Sequence, residues 1–208
     1  MPNHAAIVEA KDLLSLMDKL NIKQAYILGH SYGAYTALLF ALEHPERVKK
    51  LILAEPPLIR WLPEIPNGEG VMEKFMENTW VPIGKAFSEK GEKAGLEFTS
   101  QWAFHAPFDS ISKEWRTYWI ENAKEWQALA ISSDAFPIVD YEKVKNLNIS
   151  TLLLSGALSA GNFNDLIDGH LAKLLPKNER IIIENAGHEM FVDNAAGSNQ
   201  AIISFLTK

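Results

Sequence analysis

Ser31 and His188 are the residues whose settings most favour chemistry. Residues 29–33, GHSYG, match G-x-S-x-G; they follow an apolar run at 25–29 and precede a helical pattern, as a nucleophile elbow requires. A serine hydroxyl is a weak nucleophile and needs an adjacent base poised near neutral pH, as histidine is. His188 follows a glycine after the last apolar run, at the edge of an α/β sheet where catalytic groups gather. The sequence therefore predicts Ser31 as nucleophile and His188 as base.

An elbow of this kind requires small residues around the serine. Because it holds the serine in a strained backbone conformation, we expect neighbouring backbone to crowd Gly29 and Gly33. Gly33 and Ala34 should keep the first helical turn slim against the strand, and the helix N-terminus favours negative charge. The alternative interpretation is a strand-to-helix turn that merely favours glycine and serine.

The remaining histidines have structural interpretations. His30 lies in the elbow, and we predict that it is structural or lines the substrate pocket. The others lie at the chain start, at a helix end before Pro45, in the middle segment and on a helix; they are His4, His44, His105 and His170.

Short apolar strands that alternate with helices must position these residues. Residues 4–20 have apolar side chains near helical spacing, with Asn3 as a candidate N-cap. The run at 25–29 is typical of a strand buried on both faces of a parallel sheet, and the helix after it, 32–42, ends before Pro45. Further buried strands are predicted at 48–54, 151–154 and 180–183. This alternation predicts an α/β layer fold.

The middle segment, residues 56–148, breaks this alternation. It contains no clear buried strand, and its periodicity is helical, as around 111–130. Trp115 and Trp119 lie four residues apart, on one face of a predicted helix. The tryptophans either pack a helical subdomain or line an apolar pocket; all six fall in this segment, at Trp61, Trp80, Trp102, Trp115, Trp119 and Trp126.

The composition excludes several classes of protein. The chain has 208 residues and a formal net charge of −6, which argues against nucleic-acid binding and against a basic membrane-surface protein. With no cysteine it has no disulfide, thiolate zinc site or cysteine nucleophile. Residues 1–4 do not resemble a signal peptide, and no stretch approaches the roughly 18 apolar residues of a membrane span. We expect a soluble, cytoplasmic protein.

Residues 29–34 and 187–188, together with Pro-Glu-Arg-Val at 45–48, resemble the α/β-hydrolase superfamily. The resemblance covers nearly the whole chain, to a final helix near 202–206. It implies the chain order nucleophile, acid, histidine, and no metal or organic cofactor. It also implies a core formed by residues 1–55 and 149–208, with residues 56–148 inserted as a helical cap over the site.

The acid of the triad departs from the family's usual pattern. The loop that usually resembles G-x-x-D is Gly-Ala-Leu-Ser here, so Ser159 stands where the aspartate would be. Some family members place the acid after the strand that follows the elbow helix, and that position is Glu55. A carboxylate there would fix the histidine tautomer and stabilise imidazolium. Glu55 is therefore the predicted acid; Asp165 is the second candidate, and a structural carboxylate at the cap entry is the alternative role for Glu55.

The family also carries strands before the helix at 4–20, one of whose loops donates half of the oxyanion hole. We therefore expect an N-terminally truncated, mostly parallel sheet in which the backbone N–H of Tyr32 is the remaining donor. Loss of one donor typically lowers kcat by about 10²–10³-fold. The strand at 25–29 would be an exposed apolar edge, and we expect a homodimer through it, a rearranged edge or poor solubility.

The resemblance favours hydrolysis of an ester or related acyl bond through an acyl-serine intermediate. Serine at the elbow argues against the dehalogenase branch, which uses aspartate, and leaves carbon–carbon bond hydrolases open. The alternative is a non-catalytic or weakly active binding or assembly module. We predict a small hydrophobic substrate, with His30, Trp115 and Trp119 in contact with it; phenylalanines of the middle segment favour the same substrate class, namely Phe104, Phe108 and Phe136.

Overall fold

The computed structural model describes residues 5–104 and 106–208, and the chain divides into two compact units. The first unit, Ala6–Glu69 with Ile138–Lys208, contains all the strands of the described residues. The second, Gly70–Pro137 with Ala5, is helical. The predicted insertion, 56–148, is longer than this second unit, and its role as a cap stays a prediction. Asn3, His4 and His105 lie outside the described residues.

The first unit is built on a parallel sheet. Strands β1 (Ala25–His30), β2 (Val48–Ala54), β3 (Thr151–Gly156) and β4 (Asn178–Ile183) pair in the order β1-β2-β3-β4. The four predicted strands are all present, with β3 and β4 longer by two residues each. The α/β fold class with a parallel sheet is therefore confirmed.

Helices occur in both units. Among the described residues none is both long enough and apolar enough to span a bilayer. Numbered along the chain, the helices are α1 (Ala6–Lys19), α2 (Tyr32–Glu43), α3 (Val71–Phe75), α4 (Val81–Lys90), α5 (Glu92–Phe104), α6 (Lys113–Glu121), α7 (Ala123–Ala130), α8 (Tyr141–Lys145), α9 (Phe163–Leu174), α10 (Met190–Asp193) and α11 (Ala195–Thr207).

The centre of the sheet is buried on both faces. Ile52, Leu152 and Leu154 form one apolar cluster with Phe205 of α11. The intervening side chains, such as Leu153, are also fully buried. Continuous apolar runs in β2 and β3 follow from this arrangement, because helices cover a parallel sheet on both sides.

Strand β1 corrects one prediction. It pairs only with β2 in the part of the chain that the structure describes, so it lies at an edge of the sheet. Ile27 is buried, but Tyr26 and Leu28 are 52% and 45% exposed. The prediction that residues 25–29 are buried on both faces is therefore wrong, because the face that carries Tyr26 and Leu28 is left about half exposed. The expectation of an exposed apolar edge at this strand agrees with the strand order.

The second unit packs around its own aromatic cluster. Residues 56–104 and 106–148 contain helices and turns without a strand, as predicted. Ile83, Phe87, Phe108 and Trp119 form the core of this unit. Trp61 differs from the other tryptophans because it belongs to the first unit, where its indole N–H donates to the Val139 carbonyl (2.9 Å).

Candidate active site

Ser31 lies in a strained turn between β1 and α2. Its φ of 53° and ψ of −124° lie where residues with a side chain rarely occur, at a cost of about 1–3 kcal/mol. Its N–H donates to the Ala54 carbonyl (2.8 Å) and so continues the pairing of β1 with β2. The serine is thereby presented at the carboxyl edge of the sheet.

Gly29 makes this turn possible, whereas Gly33 does not need to be small. A Cβ on Gly29 would lie 2.2 Å from the Gly33 carbonyl oxygen and 2.6 Å from the Ala34 Cα, closer than any real contact. A Cβ on Gly33 would meet nothing within 4 Å. The expected crowding is therefore found at Gly29, and the expectation for Gly33 is wrong because its missing side chain would point into open space.

His188 lies in the loop after β4, which rests on β3. A Cβ on Gly156 would meet the Gly187 carbonyl oxygen at 2.3 Å, so only glycine lets this loop come so close. The Gly187 N–H donates to the Asp193 carboxylate (2.9 Å), and the His188 carbonyl accepts from Nε2 of His30 (2.7 Å). Three separate contacts thus fix the loop that carries His188.

Ser31, His188 and Glu55 form one hydrogen-bonded row. His188 Nε2 lies 2.9 Å from Ser31 Oγ, and its Nδ1 lies 2.7 Å from Glu55 Oε2. Because a carboxylate only accepts, Nδ1 carries the proton and Nε2 is left to accept from the serine hydroxyl. The arrangement can therefore take a proton from Ser31 and stabilise the imidazolium that results.

Glu55 is fully buried immediately after β2, with a φ of 48°. Besides His188, it accepts from the Gly156 N–H (2.9 Å) and from Asn164 Nδ2 (2.9 Å). Burial by itself raises the pKa of Glu55, but the hydrogen bonds from His188, Gly156 and Ser159 outweigh burial and hold that pKa below its ordinary value. Glu55 is therefore an anion at neutral pH. Ser159, in the position of the usual aspartate, supports this anion.

Asp165, the second candidate for the acid, has other partners. Its carboxylate accepts from the Gly161 N–H (2.9 Å) and from an Arg180 guanidinium N–H (2.6 Å), and these bonds lower its pKa. The Nδ1 atom of His188 is bonded to Glu55 instead, at 2.7 Å.

The other predicted site residues occupy separate positions. Tyr32 is the first residue of α2, so its N–H belongs to the positive end of that helix. His30 is held on the His188 carbonyl, and burial together with His188 lowers its pKa, so the ring is neutral at pH 7. Trp119 is 4% exposed in the core of the second unit, and Trp115 packs against the same cluster. This burial supports a packing role for both tryptophans; their contact with substrate stays a prediction.

One group of side chains has the composition of a metal site. His30, His188 and Glu189 place ligand atoms within 4.8 Å of one another. However, both ring nitrogens of His188 are engaged by Ser31 and Glu55, and His30 Nε2 donates to a carbonyl. The hydrogen bonding therefore favours proton transfer over metal binding here.

Asn164 is the site residue that sequence reasoning missed. It is 4% exposed on α9, and its amide lies 2.9 Å from Glu55 Oε2 and 3.4 Å from His188 Nδ1. The signal lies in the spacing of Asn164 and Asp168, which are polar at i and i+4 on the helix face that also carries Ile167 and Leu171.

Comparison with known proteins gives a consistent result. A sequence profile described as alpha/beta hydrolase fold matches residues 3–195. The 2-hydroxy-6-oxo-6-phenylhexa-2,4-dienoate hydrolase of Comamonas testosteroni is 45% identical over 56 residues, which are 27% of this chain and 20% of that protein. Carboxylesterase YbfK of Bacillus subtilis (strain 168) is 22% identical over 200 residues, 95% of this chain. The second match spans 62% of that relative's length.

Solved structures show the same likeness. The crystal structure of carboxylesterase CesB (YbfK) from Bacillus subtilis has a TM-score of 0.69 at 18% identity, covering 97% of this chain and 66% of that one. MenH from S. aureus has a TM-score of 0.72 at 18% identity, covering 99% and 76%. At such identities the likeness concerns the fold alone.

Proposed function

Because the chain belongs to the alpha/beta hydrolase fold family, we propose that it is a serine hydrolase that cleaves an ester or related acyl bond of a small hydrophobic substrate. The observation that carries this proposal is the row of hydrogen bonds from Ser31 through His188 to Glu55, at 2.9 and 2.7 Å. The carboxylesterase relative supports the same class of reaction.

The proposed reaction has two halves. Ser31 Oγ attacks the acyl carbon while its proton passes to His188 Nε2, and Glu55 stabilises the resulting imidazolium. The alcohol leaves with that proton, and an acyl group remains on Ser31. In the second half His188 takes a proton from water, the hydroxide attacks the acyl carbon, and the acid leaves as Ser31 regains its proton. The N–H of Tyr32, at the helix N-terminus, is proposed to bind the oxyanion in both halves.

Cleavage of a carbon–carbon bond is the second candidate. It is favoured by the 45% identity to the Comamonas testosteroni hydrolase, although the match covers 56 residues. Turnover of 2-hydroxy-6-oxo-6-phenylhexa-2,4-dienoate against a set of p-nitrophenyl esters would separate the two candidates. Faster cleavage of the dienoate would favour the second.

Covalent labelling with a fluorophosphonate tests the proposal. We expect one adduct per chain, detected by intact mass, with the Ser31→Ala variant unlabelled and as stable as the wild type. Well-folded wild-type protein that takes no label under conditions that label a known esterase would contradict the proposal and favour a non-catalytic binding or assembly module.

A further inference from the structure

Buried polar side chains lead from Glu55 into the space between α9 and the sheet. Arg180 Nε donates to Ser155 Oγ (3.0 Å), and the Ser155 hydroxyl donates to Asp168 Oδ2 (2.6 Å). Asn164 Nδ2 donates to Glu55 Oε2 (2.9 Å). These bonds form two pieces of one chain, which is interrupted between Asp168 and Asn164.

Two oxygen atoms at this interruption have no partner. Asn164 Oδ1 and Asp168 Oδ1 are both buried without a hydrogen bond among the described residues. Positions i and i+4 on a helix are neighbours, so the two side chains lie one turn apart on the same face of α9. An amide oxygen and a carboxylate oxygen both accept, so neither can satisfy the other, and two buried acceptors would remain unpaired.

A single proton shared by the two unpaired oxygens would give each of them a hydrogen bond. We propose that Asp168 is protonated in the folded protein and donates from Oδ1 to Asn164 Oδ1, which turns the Asn164 amide group toward Glu55. Ser155 already occupies the other oxygen of Asp168 as a donor, so the shared proton is expected on Oδ1. The hydrogen bonds would then run in one direction from Arg180 to Glu55. Asp168 is thus a positioning residue for Glu55, and this role rests on the proposed function.

The electrostatic surroundings agree with this arrangement. The pKa of Asp168 is raised to about 8, mainly by burial. The Ser155 hydrogen bond and Arg180 oppose this increase, and the nearby carboxylates Glu55 and Asp165 add to it. Segment 59–64 and α8 also pack on α9, where the rings of Trp61 and Tyr141 contact the ring of His170. Burial lowers the pKa of His170, and the negative charge of Glu64 opposes that decrease.

Ionisation of Asp168 would disturb Glu55. The anion can no longer donate to Asn164, and its best partner becomes the Asn164 NH₂ group. Rotation of the amide would then place the Asn164 oxygen against the Glu55 carboxylate, where two acceptors repel. We therefore expect the reactivity of Ser31 to decrease as pH rises through the pKa of Asp168.

The first test measures thermal unfolding of the wild type and of Asp168→Asn between about pH 5 and 8. The folded-state pKa of Asp168 is raised above its unfolded value near 4, so in this range the folded chain binds a proton that the unfolded chain has lost, and stability decreases as pH rises. Asparagine at 168 can donate to Asn164 and accept from Ser155 at every pH. We expect the wild-type Tm to decrease across this range by more than that of Asp168→Asn.

Asp165→Asn is the matched control. The pKa of Asp165 is lowered by Gly161 and Arg180, so Asp165 is ionised in both states over most of this range, and the variant should keep the wild-type decrease in Tm. An equal decrease in the wild type and Asp168→Asn would overturn the proposal. If Asp168→Asn does not fold, infrared spectra of the wild type decide: a protonated-carboxyl C=O band at pH 6 that is lost by pH 9 supports it, and the absence of the band at pH 6 overturns it.

The second test concerns the positioning role. The rate constant of fluorophosphonate labelling is measured at pH 6 and pH 9, and the pH 9 to pH 6 ratio should be several-fold higher in Asp168→Asn than in the wild type. Equal ratios in labelled proteins would refute the positioning role and leave the proposed function standing. Wild-type protein that takes no label would contradict the proposed function, while the unfolding measurements still decide the protonation of Asp168.

Discussion

Replacing Gly29 or Gly33 with alanine should change the stability of the protein in opposite directions. In Gly29→Ala the new Cβ would lie 2.2 Å from the Gly33 oxygen and 2.6 Å from the Ala34 Cα, and its three nearest neighbours are backbone atoms. The first turn of α2 must move by about 1 Å to reach ordinary contact distance. Overpacking of this kind costs about 3 kcal/mol. In Gly33→Ala the Cβ meets nothing, and alanine in a helix is about 1 kcal/mol more stable than glycine.

The two variants should therefore differ by about 4 kcal/mol in the free energy of unfolding, in opposite directions from the wild type. For a chain of this length each kcal/mol shifts Tm by about 2–4 °C, so the gap should be about 8–16 °C by circular dichroism. Because the displaced turn carries Ser31, Gly29→Ala should also lose labelling. Equal melting temperatures for the two alanine variants would refute the account of a turn built on close backbone approach at Gly29.

Three further predictions concern the row and the sheet edge. Ser31→Ala and His188→Ala should each abolish esterase activity with circular dichroism spectra unchanged; wild-type turnover in either would refute the assignment. Glu55→Gln should lower kcat by about 10³–10⁴-fold, because an amide does not fix the Nδ1–H tautomer, and a loss below tenfold would argue for another acid. We also propose that the exposed edge of β1 associates with a second copy of the chain. The molar mass from light scattering should decrease toward that of the monomer in Leu28→Lys but not in Ile203→Lys, a control at an exposed position of α11. A monomeric wild type would contradict this proposal.

Local sequence patterns predict most of the first unit. The apolar runs of β2 and β3 are buried on both faces, so their sequences alone indicate central parallel strands. The run of β1 is also apolar, yet Leu28 is exposed, because burial depends on what packs against each face of the strand and not on its own residues. Tertiary neighbours therefore limit what such a run predicts.

The site divides in the same way. Ser31 and His188 belong to local motifs, and the position of Glu55 follows from Ser159 standing where an aspartate is usual. Asn164 and Asp168 are not part of a motif, and polar side chains on an amphipathic helix ordinarily face water. Only their spacing on the face of Ile167 and Leu171 indicates that they are buried. Their role depends on α9 turning that face toward the sheet.

The positive φ of Ser31 lowers the stability of the folded chain, although the nucleophile needs a side chain at this position. Glycine adopts such a backbone conformation without penalty, so a library of variants screened for heat resistance alone should enrich Ser31→Gly and lose its nucleophile. Glu55 has a similar φ, but its carboxylate also accepts from Gly156 and Asn164, so glycine there would leave two buried donors unpaired. Selection for thermal stability alone should therefore favour glycine at position 31 and retain glutamate at position 55.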